Sequence, residues 1–182
     1  MTRLIAVLGS QGSGKTTTIE YLIKHLSEDG LKVGSIKHIH DLNFTFDTRG
    51  KDTWRHMMAG AKVVAGVSEN EAAMIKRTDN IGEGFEEAVN SLMGWKLDVI
   101  IFEGFRSLVG RRTDILKIVT AKNREDLVQA MKDLTPPILA VTGIIAEHKV
   151  DLHNLVIPMI NLEKEGIKLI KVVKEKLMTE SR

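Results

Sequence analysis

No cysteine occurs among the 182 residues, which excludes a disulfide framework and a thiolate metal centre and makes an intracellular setting the expected one. Aromatic residues are scarce, at 4%, and 26 basic against 24 acidic side chains leave a net charge of only +2. With few rings to stack on bases and no basic excess, nucleic acid is a poor partner, and any basic site must be local. No apolar run approaches the roughly 20 residues of a membrane span. Met1-Thr2-Arg3 leads directly into a strand-length apolar run, without the longer apolar stretch and cleavage site of a signal peptide. A cytoplasmic protein with no membrane role is the expectation. Internal repeats, low-complexity tracts and linkers are also missing, and the length suits a single domain over residues 1–182.

What is present is an alternation of strand-length apolar runs with helix-period segments, the pattern of an α/β protein whose mostly parallel, twisted sheet is flanked by helices. Strands are predicted at 4–8, 32–37, 61–67, 72–76, 99–102, 115–119, 138–141 and 155–157, the third and fourth separated by a turn at Ser68-Glu69-Asn70. Helices are predicted at 17–26, where Ile19, Leu22, Ile23 and Leu26 share a face, and at 50–58 and 79–94. In a last helix at 163–178, Ile167, Ile170, Val173 and Leu177 form the apolar stripe. The polar stretch 103–114 reads as a long mobile loop, with arginines at 106, 111 and 112.

The first strand runs into Gly9-Ser10-Gln11-Gly12-Ser13-Gly14-Lys15-Thr16-Thr17. A strand, a loop with glycines at fixed spacing, then lysine and a hydroxyl residue opening a helix is the arrangement that turns successive amides toward an anion at a positive helix end. It predicts a purine nucleoside triphosphate bound with magnesium: Gly9, Gly12, Ser13, Gly14 and Thr17 cradle phosphate, Lys15 reaches the β and γ groups, and Thr16 ligates the metal.

Chemistry on a parallel sheet gathers at the C-terminal strand ends, and that rule sorts the other candidates. Asp98 and Glu103 stand at opposite ends of one apolar run, roughly 16 Å apart. Glu103, at the C-terminal end, is assigned to the magnesium sphere or to the attacking water. Asp98 reads as an exposed strand-start residue. The segment after the second strand carries Lys37, His38, His40, Asp41, Asp47, Lys51 and Asp52. Asp47 is the second acid chosen for the metal, although capping of the 50–58 helix accounts for it equally well. Asp52 suits a helix N-terminus. His38 and His40 share a strand face, but two histidines do not make a metal site, and polar ligand contacts or surface placement is the ordinary reading. Met57-Met58 and the two tryptophans read as core or surface filling.

Taken together, the phosphate loop, Gly34-Ser35-Ile36-Lys37-His38-Ile39-His40, Asp47-Thr48-Arg49-Gly50-Lys51-Asp52-Thr53, Ala59-Gly60-Ala61 and Leu97 through Arg106 with its Glu-Gly-Phe-Arg ending resemble the MobB family of molybdopterin-guanine dinucleotide biosynthesis adapter proteins. The resemblance implies a three-layer P-loop NTPase fold and a homodimer that assists attachment of GMP to molybdopterin. It also implies GTP and Mg2+ as ligands, weak hydrolysis, and a MobA-like nucleotidyltransferase as partner. Carried over, Gly14, Lys15 and Thr16 bind phosphate and metal, Asp47 and Glu103 lie near the metal, and Lys37 and His38 line the site. This chain departs from the family pattern in having Asp41 where a further histidine is common, a longer loop at 107–114, and Thr142-Gly143 where Ser-Asp is frequent. The last change removes a carboxylate suited to the guanine N1 and N2 groups.

A small-molecule kinase would use the same loop to pass on a γ-phosphoryl group, and would need a lid of arginines, for which Arg106, Arg111 and Arg112 are the candidates. A nucleotide-gated binding module, with Asp47 and the Glu103 loop as switches, is compatible with the adapter reading.

Overall fold

The computed structural model describes residues 2–148 and 156–179. The chain divides into two compact units, one of Met1–His38 with Asn90–Arg182, the other of Ile39–Val89.

In the first unit β1 (Arg3–Gly9), β2 (Val33–Lys37), β5 (Val99–Glu103), β6 (Leu116–Thr120) and β7 (Ile138–Thr142) form one sheet in the order β2-β5-β1-β6-β7. Every pairing is parallel. Parallel strands need a covered sheet on both faces, and the side-chain alternation provides two apolar surfaces. Ile5, Val7, Val99, Ile101, Leu116 and Ile118 share a buried cluster with Ile19, Leu22 and Leu26 of α1 (Lys15–Glu28) and Leu169, Ile170 and Val173 of α6 (Leu162–Thr179). On the other side Val119, Ala121 and Val141 pack with Leu127 and Ala130 of α5 (Arg124–Met131) and with Ile145 in a 3-10 turn, Ile144–Glu147.

The second unit holds α2 (Asp52–Met58) and the antiparallel pair β3 (Val63–Val67) and β4 (Ala72–Lys76); α3 (Ile81–Met93) begins in it. Met57 is buried while Met58 is 55% exposed.

Four expectations need correction. The stretch after Glu103 is not an open loop: it forms a single turn, α4 (Arg106–Val109), and the buried Lys117 ammonium then holds the chain by donating to the carbonyls of Arg112 and Ile115 at 2.5 and 2.9 Å. Helix α5 was not anticipated, although Asn123 accepts from the Asp126 amide at 2.9 Å and marks its start. In α6 Ile167 is 54% exposed, and the inward stripe is Gly166, Leu169, Ile170 and Val173. A β-carbon at Gly166 would lie 2.3 Å from the Tyr21 hydroxyl, so the stripe contains a position that a count of apolar side chains skips. Leu155 of the expected strand at 155–157 lies outside the described residues; Val156 and Ile157 are in no strand, and Met159 makes an isolated parallel bridge to Val141.

Candidate functional site

The site begins with register. Lys37 on β2 and Val7 on β1 are both aligned with Glu103 on β5. Side chains at matched positions of parallel strands share a face, so Lys37 and Glu103 meet: the ammonium stands 3.1 Å from Oε1. The same oxygen accepts from the Thr16 hydroxyl at 3.2 Å. Thr16 is the second residue of α1, whose N-cap Gly14 has φ 98°, and Gly12 has φ 72°. Glycine permits these left-handed conformations, which turn the loop back over the strand end.

Lys15 curls over the loop and donates to the carbonyls of Gly9 and Ser10 at 3.1 and 2.7 Å. Burial lowers its pKa below 10.5; the field of Glu103 opposes that shift, Lys37 and Lys122 add to it, and Asp126 opposes it less strongly than Glu103. Ser13 faces inward and is fully buried, its hydroxyl donating to the Ser10 carbonyl at 2.8 Å and pairing with Thr120 at 2.6 Å. Its side chain is thus committed within the fold, and its amide also donates to the Ser10 carbonyl, at 3.3 Å. Thr18 extends this buried hydroxyl layer, bonding the Gly14 carbonyl at 2.9 Å and Thr142 at 3.3 Å. Gly9 and Gly143 seal the layer: a β-carbon on the first would stand 2.2 Å from the Thr120 carbonyl oxygen, one on the second 2.1 Å from that of Ser13.

Thr16 and Glu103 offer two hard oxygen donors. Adjacent ligands of an octahedral magnesium, each at 2.0–2.1 Å, are about 2.9 Å apart, close to the observed 3.2 Å. The pair fits that ion, and Lys37 would compete with it for Oε1.

His38 continues the strand pairing, its amide donating to the Glu103 carbonyl at 2.9 Å, and its ring stacks on Phe105 at 4.9 Å. Phe105 has φ 58°, Gly104 φ 86°; this sharp exit from β5 delivers Arg106 to the end of α5. There its guanidinium donates to the carbonyls of Ala130 and Gln129, both at 2.8 Å, and of Lys132. Arg111 pairs with Asp133 at 3.5 Å and Arg112 with Asp114 at 2.6 Å. The arginines considered for a kinase lid are thus engaged within the first unit.

Asp98 is exposed at the opposite end of β5, accepting from the Lys32 amide at 2.7 Å. Asp47 belongs to the second unit, where Oδ1 accepts from the Thr48 amide and the Thr53 hydroxyl, each at 2.8 Å. It braces the first turn of α2 through Thr53, while the N-cap position is Lys51. Asp52 sits in that first turn, as expected from its charge. Thr142 accepts from the Gly143 amide and is fully buried, so its hydroxyl is spent within the fold. No group of three or more His, Cys, Asp or Glu side chains suited to a metal occurs among the described residues.

Sequence reasoning missed Asp126, which accepts from the Ser10 hydroxyl at 2.8 Å. Its legible signal was the cap spacing Asn123-x-x-Asp126, but a contact across 116 residues has no local signature.

The chain matches the family model "MobB: Molybdopterin guanine dinucleotide synthesis protein B" over residues 4–144. A Methanocaldococcus jannaschii protein provisionally given the adapter name of this pathway is 33% identical over 123 residues, 68% of this chain and 49% of that protein. The chain thus spans about half the length of that relative. The Haemophilus influenzae molybdopterin-guanine dinucleotide biosynthesis adapter protein is 29% identical over 144 residues, 76% of this chain and 72% of its own. The crystal structure of Bacillus subtilis MobB superposes with a TM-score of 0.73 at 26% identity, covering 98% of this chain and 99% of that one.

Proposed function

The chain belongs to the MobB family, and from that membership we propose that it is a GTP-binding adapter in the biosynthesis of molybdopterin guanine dinucleotide. The observation that carries the nucleotide part is the convergence of Lys15, Thr16, Lys37 and Glu103 at one strand edge beside a glycine-built helix start. Backbone amides of Gly12 to Thr17 and the Lys15 ammonium hold the β and γ phosphates; phosphate oxygens take over the donors that Lys15 spends on Gly9 and Ser10. Thr16 and Glu103 hold magnesium. The ion supplies the positive charge that offsets the triphosphate. Lys37 and His38 line the same edge.

Hydrolysis is slow in this reading, because the arginines that follow Glu103 are tied to Asp133, Asp114 and the end of α5 and none is presented as a finger. That commitment also disfavours the kinase alternative. The protein works in the cytoplasm, as a homodimer, beside a MobA-like nucleotidyltransferase that acts on molybdopterin. Support for a dimer comes from the exposed face of the β3–β4 pair, where Val63, Ala65 and Val67 stand opposite Lys76, Met74 and Ala72. A lone two-stranded sheet gains stability from a covered face.

Isothermal titration with GTP and with ATP, each with magnesium and followed by molybdopterin, tests the proposal. Selective GTP binding supports it. Equal or ATP-selective binding returns weight to phosphoryl transfer and overturns the guanine assignment.

A further inference from the structure

Asp126 belongs to neither the phosphate loop nor the Glu103 edge, yet it grips the loop. Its Oδ2 accepts from the Ser10 hydroxyl at 2.8 Å and from the Lys122 amide at 2.9 Å. Ser10 is in turn the residue on which the loop converges: its carbonyl accepts from the Lys15 ammonium at 2.7 Å and from the Ser13 hydroxyl at 2.8 Å. Helix α5, which carries Asp126 in its first turn, is held at its other end by Arg106, three residues beyond Glu103. One short helix therefore links the two halves of the site, the acidic end of β5 and the first turn of the phosphate loop.

We propose that Asp126 is a positioning residue for triphosphate binding: it fixes Ser10 from outside the loop and so sets where the loop backbone that meets the phosphates stands. The inference rests on the nucleotide reading given above. A free Ser10 hydroxyl leaves the loop one turn of backbone less constrained, and ordering that backbone is then charged against phosphate binding. The half-buried carboxylate also adds a second negative group, after Glu103, to the surroundings of Lys15.

The test is the dissociation constant of a fluorescent GTP analogue with magnesium, read beside the thermal unfolding midpoint, for the full chain and its variants. Asp126→Ala is expected to weaken binding about tenfold, the size of one charge-assisted hydrogen bond. Ser10→Ala is expected to cost about as much, and the double variant no more than the larger single loss, because both remove the same bond. Asp126→Asn retains an acceptor for the Ser10 hydroxyl without the charge and is expected to recover most of the affinity; affinity as weak as that of Asp126→Ala would place the effect outside the Ser10 hydrogen bond and overturn the proposal. Asn123→Ala removes the helix cap but leaves Asp126 on Ser10. If it weakens binding as much as Asp126→Ala, helix stability is the cause and the positioning role is overturned. Unchanged affinity in Asp126→Ala, or losses that multiply in the double variant, overturns it too. Failure of the unaltered protein to bind any triphosphate sinks the nucleotide reading itself, whereas binding that ignores Asp126 sinks only this inference.

Discussion

Lys15 and Lys117 are both lysines drawn out of water, with different consequences. Lys15 is half-buried over the phosphate loop, its proton donors occupied by two carbonyls that a phosphate can replace. Lys15→Ala is expected to abolish triphosphate binding while circular dichroism remains that of the unaltered protein, since only loop carbonyls lose a partner. Unchanged affinity would remove the phosphate-loop role. Lys117 is fully buried between the carbonyls of Arg112 and Ile115, and burial lowers its pKa below 10.5. The folded chain thus holds that proton less tightly than the unfolded chain. Its contribution is fully present above the unfolded value near 10.5 and is lost as pH falls through the lowered folded value. Urea midpoints should therefore climb with pH on the alkaline side, approaching 10.5, and Lys117→Met should flatten part of that climb. Lys15, shifted in the same direction, accounts for a remainder.

Among the elements, α5 shows how a short helix is stabilised at both ends. Asn123 caps its start and Arg106 saturates its terminal carbonyls, the polar groups that a helix end leaves without internal partners. Arg106→Ala removes these bonds from a partly solvated guanidinium. A loss of about 1–2 kcal/mol in unfolding free energy is expected. Hydrogen exchange should accelerate first at the last turn of α5, near Met131 and Lys132. Slowed or unchanged exchange there would mean that the carbonyls find other donors. The Glu-Gly-Phe-Arg segment thereby divides its labour: the acid meets Thr16 and Lys37, the glycine and phenylalanine make the turn, and the arginine anchors a helix. An arginine in a polar stretch reads from sequence as an available cation. The acceptors that occupy it lie 23 to 26 residues further on.

For the whole molecule, the parallel sheet supplies one edge at which the loop after β1 and the ends of β2 and β5 meet, and the second unit adds an exposed apolar hairpin face. Val67 is 82% and Met74 74% exposed. If that face is the dimer surface proposed above, light scattering on the unaltered protein should give twice the chain mass. Val67→Lys combined with Met74→Lys should shift it to a single chain without loss of helical signal. A dimer that survives both lysines would move the interface elsewhere.

Local pattern was enough for the α/β class, the strands of the main sheet, β3 and β4 as two strands about a turn, and the glycine-rich loop that opens α1: apolar runs suit buried parallel strands, and glycines stand where left-handed backbone is required. It also separated Glu103 from Asp98, since strand direction alone says which end faces the loop. Tertiary structure decided the rest. That Lys37 sits on Glu103 depends on the register of β2 against β5, that Ser13 turns inward on Thr120 depends on the β1–β6 pairing, and that Asp126 holds Ser10 depends on where α5 packs. These contacts join residues far apart along the chain, and their geometry exists only once the sheet has ordered its strands.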